Sequence, residues 1–382
     1  MCGILGTSSN LESEKNLFPS EELFRKSLSL IDHRGPDGKG IFYDYKSLVS
    51  LGHTRLAILD LSERSNQPMI SKDGDTVLIF NGEIYNYLVL KSRLLNQGVN
   101  FETTSDTEVI LNLYLKEGIE ILKDLDGIFS LSIWDRKKNI LYVARDTLGI
   151  KPLYFFEKKD FFCFSSELKS LLPLLNSEDL NIDIESLNRY LTYLYCPGEG
   201  TSFKNIKKVN PGEVLAIKNG EIRSRESFKK IPVFKNLPKY SHNSKKIIKE
   251  LDTKLRNSVH KQMISDVQVG AFLSGGLDSS SVVAFAKEKN KDLKCFTIDV
   301  GEVNTDGLTN DLPYAEKVAR HLDVDLQIVK TNSETLIKGL TNMVMHLDEP
   351  ISDSAPLNVY LISKLARNQN MKVLLSGAGG DD

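Results

Sequence analysis

Directly behind the initiator methionine stands a cysteine, in Met1-Cys2-Gly3-Ile4. Small penultimate side chains permit removal of the methionine, after which thiol and α-amine belong to one residue. An unperturbed α-amine titrates near ~7.7–8.0 and a thiol near ~8.5, so the pair serves as base and nucleophile around neutral pH without a histidine. On position alone, a small buried hydrophobe is the stronger reading of Cys2. A second stretch, FLSGGLDSSSVVAFA at 272–286, sets a glycine pair between an apolar strand and a hydroxyl-rich helix start. Backbone N–H groups at a helix N-terminus bind anions, and glycines let a phosphate approach without Cβ clashes. The pattern S-G-G-x-D-S differs from the P-loop G-x-x-x-x-G-K-[ST], which occurs nowhere in the sequence.

The elements that must position these residues fall into two textures. Up to about residue 228, short strands dominate: TVLIF (76–80), GIFSLSIW (127–134), NILYVAR (139–145), LYFFE (153–157) and FFCFS (161–165) are rich in aromatic and β-branched residues. In the second of these, Phe129, Leu131 and Ile133 alternate with Ser130 and Ser132, the period of a half-buried strand. EVLAIKNGEIRS predicts a hairpin about Asn219-Gly220. A helix is predicted over 86–97, ending at Gly98, and another behind Ser105 and Glu108, which have capping-box spacing, ending at Gly118. Closely spaced strands with few long helices predict antiparallel sheets layered with helices, an α+β domain over 2–228.

Residues 229–244, with two prolines, four lysines and no period, predict a linker. Beyond it, Ile248, Leu251, Leu255 and Val259 repeat at helical spacing. Strands at 267–273, 294–299, 324–329 and 371–376 then alternate with helices from about Ser279, Pro313 and Ser333, the rhythm of a parallel α/β sheet over 245–382. A further covering helix is expected after the last strand, so this domain is read as incomplete at its C-terminus.

Composition excludes several classes. Forty-nine Lys and Arg against 51 Asp and Glu leave a net charge of -2, so no basic field invites nucleic acid. No apolar run reaches the ~18–20 residues of a membrane helix, and the N-terminus lacks a signal peptide's pattern, which predicts a cytoplasmic protein. Cys163, Cys196 and Cys295 form no C-x-x-C pair and read as buried hydrophobes; the six histidines show no metal-ligand spacing.

Four further stretches accompany Cys2 in order: HRGPDG (33–38), GHTRLAILDL (52–61), NGEIYNY (81–87) and SDTE (105–108). Each has a plainer use alone: Asn-Gly turns chains, Asp106 suits a helix N-terminus, and Arg55 reads as a surface cation. Together with Cys2 they resemble the glutaminase domain of the class II amidotransferases, which are N-terminal-nucleophile hydrolases. ARDTLGIKPLYF (144–155) and FSSELKSL (164–171) extend the resemblance towards the asparagine synthetases. It implies that Cys2 attacks the side-chain amide of glutamine, that the Asn81 side chain and the Gly82 N–H bind the oxyanion, and that Arg55 meets the substrate α-carboxylate. It further implies that Asp106 meets the α-ammonium and that Glu83 contacts glutamine.

The second stretch resembles the loop of the ATP pyrophosphatases, enzymes that split ATP between the α and β phosphorus. The resemblance implies ATP as co-substrate, cradled by Ser274, Gly275, Gly276, Asp278, Ser279 and Ser280. Leu273 and Ile298 fall at the adenosine pocket and Ser376-Gly377 at a second nucleotide turn. Asp278 and Asp381 are the implied Mg²⁺ ligands. Releasing pyrophosphate is what adenylation of a carboxylate requires, with Mg²⁺ offsetting the leaving group's charge. The segment 346–367 resembles the part of asparagine synthetases that lines the acceptor and ammonia side.

The resemblance thus implies a glutamine-dependent asparagine synthetase, in which ammonia crosses an internal channel to an adenylated carboxylate, aspartate by default. Its partners are small molecules, with no nucleic acid and no membrane, and the assembly it allows is a homodimer. Where the family carries S-G-E-G or S-G-D-G, this chain has Ser376-Gly377-Ala378-Gly379. That departure leaves open another acceptor carboxylate, as in surface-polysaccharide synthesis. A free-standing glutaminase or a non-catalytic subunit also stays open.

Overall fold

The computed structural model describes the chain except residues 14–16, 232–243, 300–310, 354 and 380–382. The chain parts into two compact units, 1–233 with 348–352, and 234–347 with 353–382. The predicted linker lies mostly outside the described residues.

In the first unit, two six-stranded sheets carry the fold. One runs in the order Ile206–Lys208, Tyr154–Lys158, Phe161–Ser165, Gly3–Ser9, Val49–Arg55, Gly38–Asp44. The other runs Glu221–Ser227, Glu213–Lys218, Ile140–Arg145, Gly127–Asp135, Thr76–Ile84, Met69–Ile70. The strand pairs within both are antiparallel. Side chains alternate between faces along a strand, and here both faces are used. Val77 and Ile79 join Ile4, Leu51, Phe162 and Phe164 in a core between the sheets. Leu78 and Phe80 point the other way, into a core with the helices Tyr87–Asn96 and Asp106–Glu117. Leu5, Phe156 and Phe161 meet the helix Glu21–Ser29 on the outer face of the first sheet. The order of layers is helix, sheet, sheet, helix.

This layering corrects the half-buried reading of Gly127–Asp135. Ser130 and Ser132 are fully buried, because the face opposite Phe129, Leu131 and Ile133 turns inward between the sheets rather than to water. Asn219 and Gly220 both take positive φ (54° and 74°), as a type I′ turn needs. At the second helix the capping box is only half made. The Ser105 hydroxyl accepts the Glu108 N–H, but the Glu108 carboxylate turns back to the N–H groups of Glu102 and Thr103.

The second unit is a parallel sheet in the order Asp325–Lys330, Lys294–Asp299, Val269–Phe272, Val373–Leu375. The helices Leu277–Lys289 and Leu312–Leu322 bury Val283, Ala286, Ala315 and Ala319 in one core, while Ala355–Asn368 buries Ile362 and Ala366 against Phe296 in another. The helix Ser244–Gln262 forms where the spacing predicts, yet of its stripe only Val259 is buried; Ile248 is 64% exposed. Among the described helices none is long and apolar enough to cross a membrane.

Candidate active site

Cys2 sits at the entry to Gly3–Ser9, a central strand of the first sheet, and its surroundings come from residues far away in sequence. The Leu56 N–H points at Sγ at 3.4 Å, and the thiol lies 3.7 Å from the Leu56 carbonyl. Arg34 Nε donates to the Cys2 carbonyl at 2.8 Å, and Arg34 Nη1 to Glu167 at 2.8 Å. Lys169 Nζ donates to the other Glu167 oxygen at 2.6 Å, and His33 Nε2 lies 2.9 Å from Oε1. Burial acts to raise the Glu167 carboxyl, but His33, Arg34 and Lys169 together hold it at about 2. The HRGPDG and FSSELKSL motifs therefore frame the Cys2 backbone through a buried ion pair. Burial pushes the Cys2 thiol up, opposed by the neighbouring amino terminus and the Leu56 backbone. Burial likewise pulls the Met1 amino group down to about 5.

Strand pairing exposes the candidate oxyanion donors. Thr76–Ile84 is paired along its whole length with Gly127–Asp135, but Met69–Ile70 covers only Val77 and Leu78 on the other side. Successive even residues direct their N–H groups to that open side. There Phe80 N–H donates to Gln67 Oε1 at 2.6 Å and Ile84 N–H to Asp106 Oδ2 at 3.0 Å. Gly82 lies between them with its N–H on the same edge and without a partner among the described residues. A Cβ at Gly82 would lie 2.2 Å from the Ile128 carbonyl, so the close pairing requires glycine. The Asn81 amide is fully buried against Ser130 Oγ at 3.3 Å, and its Oδ1 has no partner among the described residues. A serine hydroxyl serves equally as donor or acceptor, so the amide can present its N–H₂ to the pocket at no loss to Ser130.

Glu83 and Asp106 come together as a desolvated carboxylate pair. Burial raises Asp106 to about 6, and burial with the Asp106 charge raises Glu83 well above the usual range. Two such carboxylates in one pocket favour a cation between them. Cys2, Glu83 and Arg34 share one electrostatic neighbourhood with a residue to which the sequence assigned no role, Lys151. Its sole signal was membership of ARDTLGIKPLYF. Arg55 is buried beside the loop that follows it. Its guanidinium holds the 59–66 loop through Ser62 O (2.7 Å), Asn66 Oδ1 (2.9 Å), and the Leu59 and Asp60 carbonyls. Only Nε is left without a hydrogen bond among the described residues.

In the second unit, the glycine-rich turn follows the C-terminal end of Val269–Phe272, the side where parallel sheets bind ligands. Leu273 N–H still belongs to the sheet, donating to Phe296 O at 2.9 Å, and Ile298 pairs with Val329. The helix begins at Leu277, two residues before the predicted start, with Gly276 as its cap. Gly275 has φ +84°, and a Cβ there would meet Tyr314 C and Ala315 N at 2.4 Å. Ser274 and Ser279 join hydroxyls at 2.9 Å, while the Ser280 hydroxyl is buried without a partner among the described residues. A Cβ at Gly377 would lie 2.6 Å from Ser279 N, which places the Ser376-Gly377 turn against the same helix start. One unpaired hydroxyl and tight glycines at a helix N-terminus fit a polyphosphate. Asp278, on the first turn, offers the hard oxygen ligand that magnesium takes. Asp381 lies outside the described residues, and among the described ones no group of three metal-binding side chains assembles.

Residues 1–229 match the family described as glutamine amidotransferase domain, and residues 250–382 that described as asparagine synthase. The chain is 36% identical over 383 residues to asparagine synthetase (glutamine-hydrolyzing) 1 of Bacillus subtilis, covering 100% of this chain and 58% of that protein. It is 35% identical over 402 residues to putative asparagine synthetase (glutamine-hydrolyzing) 2 of Methanocaldococcus jannaschii, covering 100% of this chain and 75% of that protein. Against asparagine synthetase (glutamine-hydrolyzing) 2 of Bacillus subtilis it is 33% identical over 400 residues and spans 52% of that protein. With both family profiles on one chain and relatives aligned along its whole length, the chain belongs to the glutamine-hydrolysing asparagine synthetase family.

Proposed function

We propose that this chain acts as a glutamine-dependent asparagine synthetase in the cytoplasm. The observation that supports it most is the Glu83–Asp106 carboxylate pair in the electrostatic neighbourhood of Cys2, a site suited to an α-ammonium beside a sulfur nucleophile. After Met1 is removed, the Cys2 amine takes the thiol proton and the sulfur attacks the carboxamide carbon of glutamine. Charge moves to the amide oxygen, where the Gly82 N–H and the Asn81 amide donate to it. Collapse of this intermediate, with the proton returned to the leaving nitrogen, expels ammonia and leaves a thioester. Water then attacks the thioester, releasing glutamate and restoring the thiol. Glu83 and Asp106 hold the α-ammonium, and Arg55 meets the α-carboxylate through Nε or by giving up a loop carbonyl.

Ser274–Ser280 and Ser376-Gly377 hold ATP, whose α-phosphorus is transferred to a carboxylate with release of pyrophosphate. Ammonia displaces AMP to give the amide. Asp278 and Asp381 are the proposed magnesium ligands, and the metal when bound offsets the charge of the departing pyrophosphate. Aspartate is the proposed acceptor. Ala378, at a position where the family has a carboxylate, favours a second reading in which another carboxylic acid is amidated. The test is AMP formation with glutamine, ATP and magnesium, comparing aspartate with other carboxylic acids. Aspartate-dependent AMP supports the first reading, AMP with another acid alone supports the second, and none with any acceptor overturns both.

A further inference from the structure

Asp60 is a buried carboxylate for which the scheme above has no use. It stands in the loop that the Arg55 guanidinium holds, and its own carbonyl is one of the acceptors. Its side chain faces two ways. Oδ1 accepts the Ser62 N–H at 3.1 Å and the Ser62 hydroxyl at 2.6 Å, which closes the loop on itself. Oδ2 accepts the Thr104 N–H at 2.7 Å, 44 positions further along the chain. Thr104 lies immediately ahead of Ser105, the cap of the helix Asp106–Glu117. Burial acts to raise this carboxyl, but the Ser62 hydroxyl and the two N–H groups hold it below the ordinary carboxylate range. Hydrogen bonds to an ionised acceptor are the strong ones.

The same loop reaches that helix a second time. Gln67 Nε2 donates to Thr107 Oγ1 at 3.3 Å, while Gln67 Oε1 accepts the Phe80 N–H at 2.6 Å. Asp60 and Gln67 thus tie residues on either side of Asp106 to the segment anchored on Arg55. In an α-amino acid the carboxylate and the ammonium are borne by one carbon, so their separation is fixed covalently. A site gains from both only when its own groups are already held at the matching spacing.

We propose that Asp60 is a positioning residue that fixes the spacing between the α-carboxylate subsite at Arg55 and the α-ammonium subsite at Glu83 and Asp106, so that the glutaminase half selects an α-amino acid over an acid without the amine. The inference rests on the glutamine reading of this pocket and adds a residue to it. Asp60 acts through the Arg55 loop and Thr104 and needs no contact with glutamine.

The test is ammonia release from glutamine, inhibited competitively by L-glutamate or by glutarate, which lacks the α-ammonium. Asp60 has φ +49°, a conformation that glycine and asparagine also adopt, so Asp60→Gly removes the carboxylate without straining the turn. The parent protein should bind glutamate more tightly than glutarate. In Asp60→Gly that preference should fall about tenfold, with KM for glutamine rising about tenfold and kcat little changed. A general loosening of the Arg55 loop would instead weaken both inhibitors alike and keep the preference. Asp60→Asn, in which an amide N–H₂ replaces one acceptor oxygen, repeats the comparison should the glycine variant not fold. A parent protein without the preference, or a folded variant that retains it in full, overturns this inference alone. A parent protein that releases no ammonia from glutamine overturns the reading of the pocket itself.

Discussion

The Ile84 N–H donates to the Asp106 carboxylate at 3.0 Å, tying the open edge of the strand that carries Asn81, Gly82 and Glu83 to the first turn of the helix Asp106–Glu117. One oxygen of Asp106 thus ties the helix to the strand at the point where Glu83 and Asp106 meet, while Phe80 and Ile84 pack with Val109, Ile110 and Leu113 in the core beneath.

Asp106→Asn keeps an acceptor for Ile84 but removes the charge. A hydrogen bond to a charged group is worth about 1.5–3 kcal/mol, so KM for glutamine should rise roughly 10- to 100-fold with a smaller change in kcat. Steady-state glutamate release measures both.

The pH dependence follows from the same pair. Burial raises Asp106 to about 6, so protonation below that value removes the site for the α-ammonium and KM should climb as pH falls through 6. Glutamine binding at pH 6 should release protons, read as a calorimetric enthalpy that changes with the buffer's ionisation heat. For stability the sign is reversed. The folded carboxyl binds its proton more tightly than the unfolded one at ~3.9, so its contribution is full below that value and is lost as pH rises through 6.

Gly82→Ala should damage both fold and chemistry. The added Cβ would stand 2.2 Å from Ile128 O and 2.7 Å from Phe129 Cα, forcing apart the strands that aim the Gly82 N–H. Overpacking of this kind costs about 1–3 kcal/mol, visible in urea unfolding, and kcat for glutamate release should fall beyond what the unfolded fraction accounts for.

Gly275→Ala separates the two halves. With φ at +84° and backbone 2.4 Å from the new Cβ, the turn before Leu277 must shift. AMP formation should drop at least about tenfold, as expected for a displaced anion cradle, while glutamate release is retained. Equal loss of both activities would contradict the assignment of this turn to ATP.

Removing Glu167 probes the frame around Cys2. In Glu167→Ala the buried Arg34 loses its partner at 2.8 Å, and breaking a buried pair costs about 3–5 kcal/mol. Because Glu167 is held at about 2, well under the unfolded value of ~4.3, its contribution is present above ~4.3 and is lost as pH falls towards 2. Urea midpoints at pH 7 and pH 3 should therefore differ less in the variant than in the parent protein.

Much of this protein is written in short-range patterns. Aromatic and β-branched runs locate the strands, Asn219-Gly220 its hairpin, and strand–helix alternation the parallel sheet, because strand period, turn type and helix spacing depend on residues a few positions apart. The motifs about Cys2, Asn81, Asp106 and Ser274 are legible for the same reason. What the tertiary structure decided is which faces and edges meet. Ser130 and Ser132 are buried because a second sheet covers them, and the Gly82 N–H lies on an open strand edge because Met69–Ile70 stops short of it. Arg34 finds Glu167 across 133 positions, and Asp60 finds Thr104 across 44. Burial and charge pairing are set by distances through space, and no spacing along the chain encodes them.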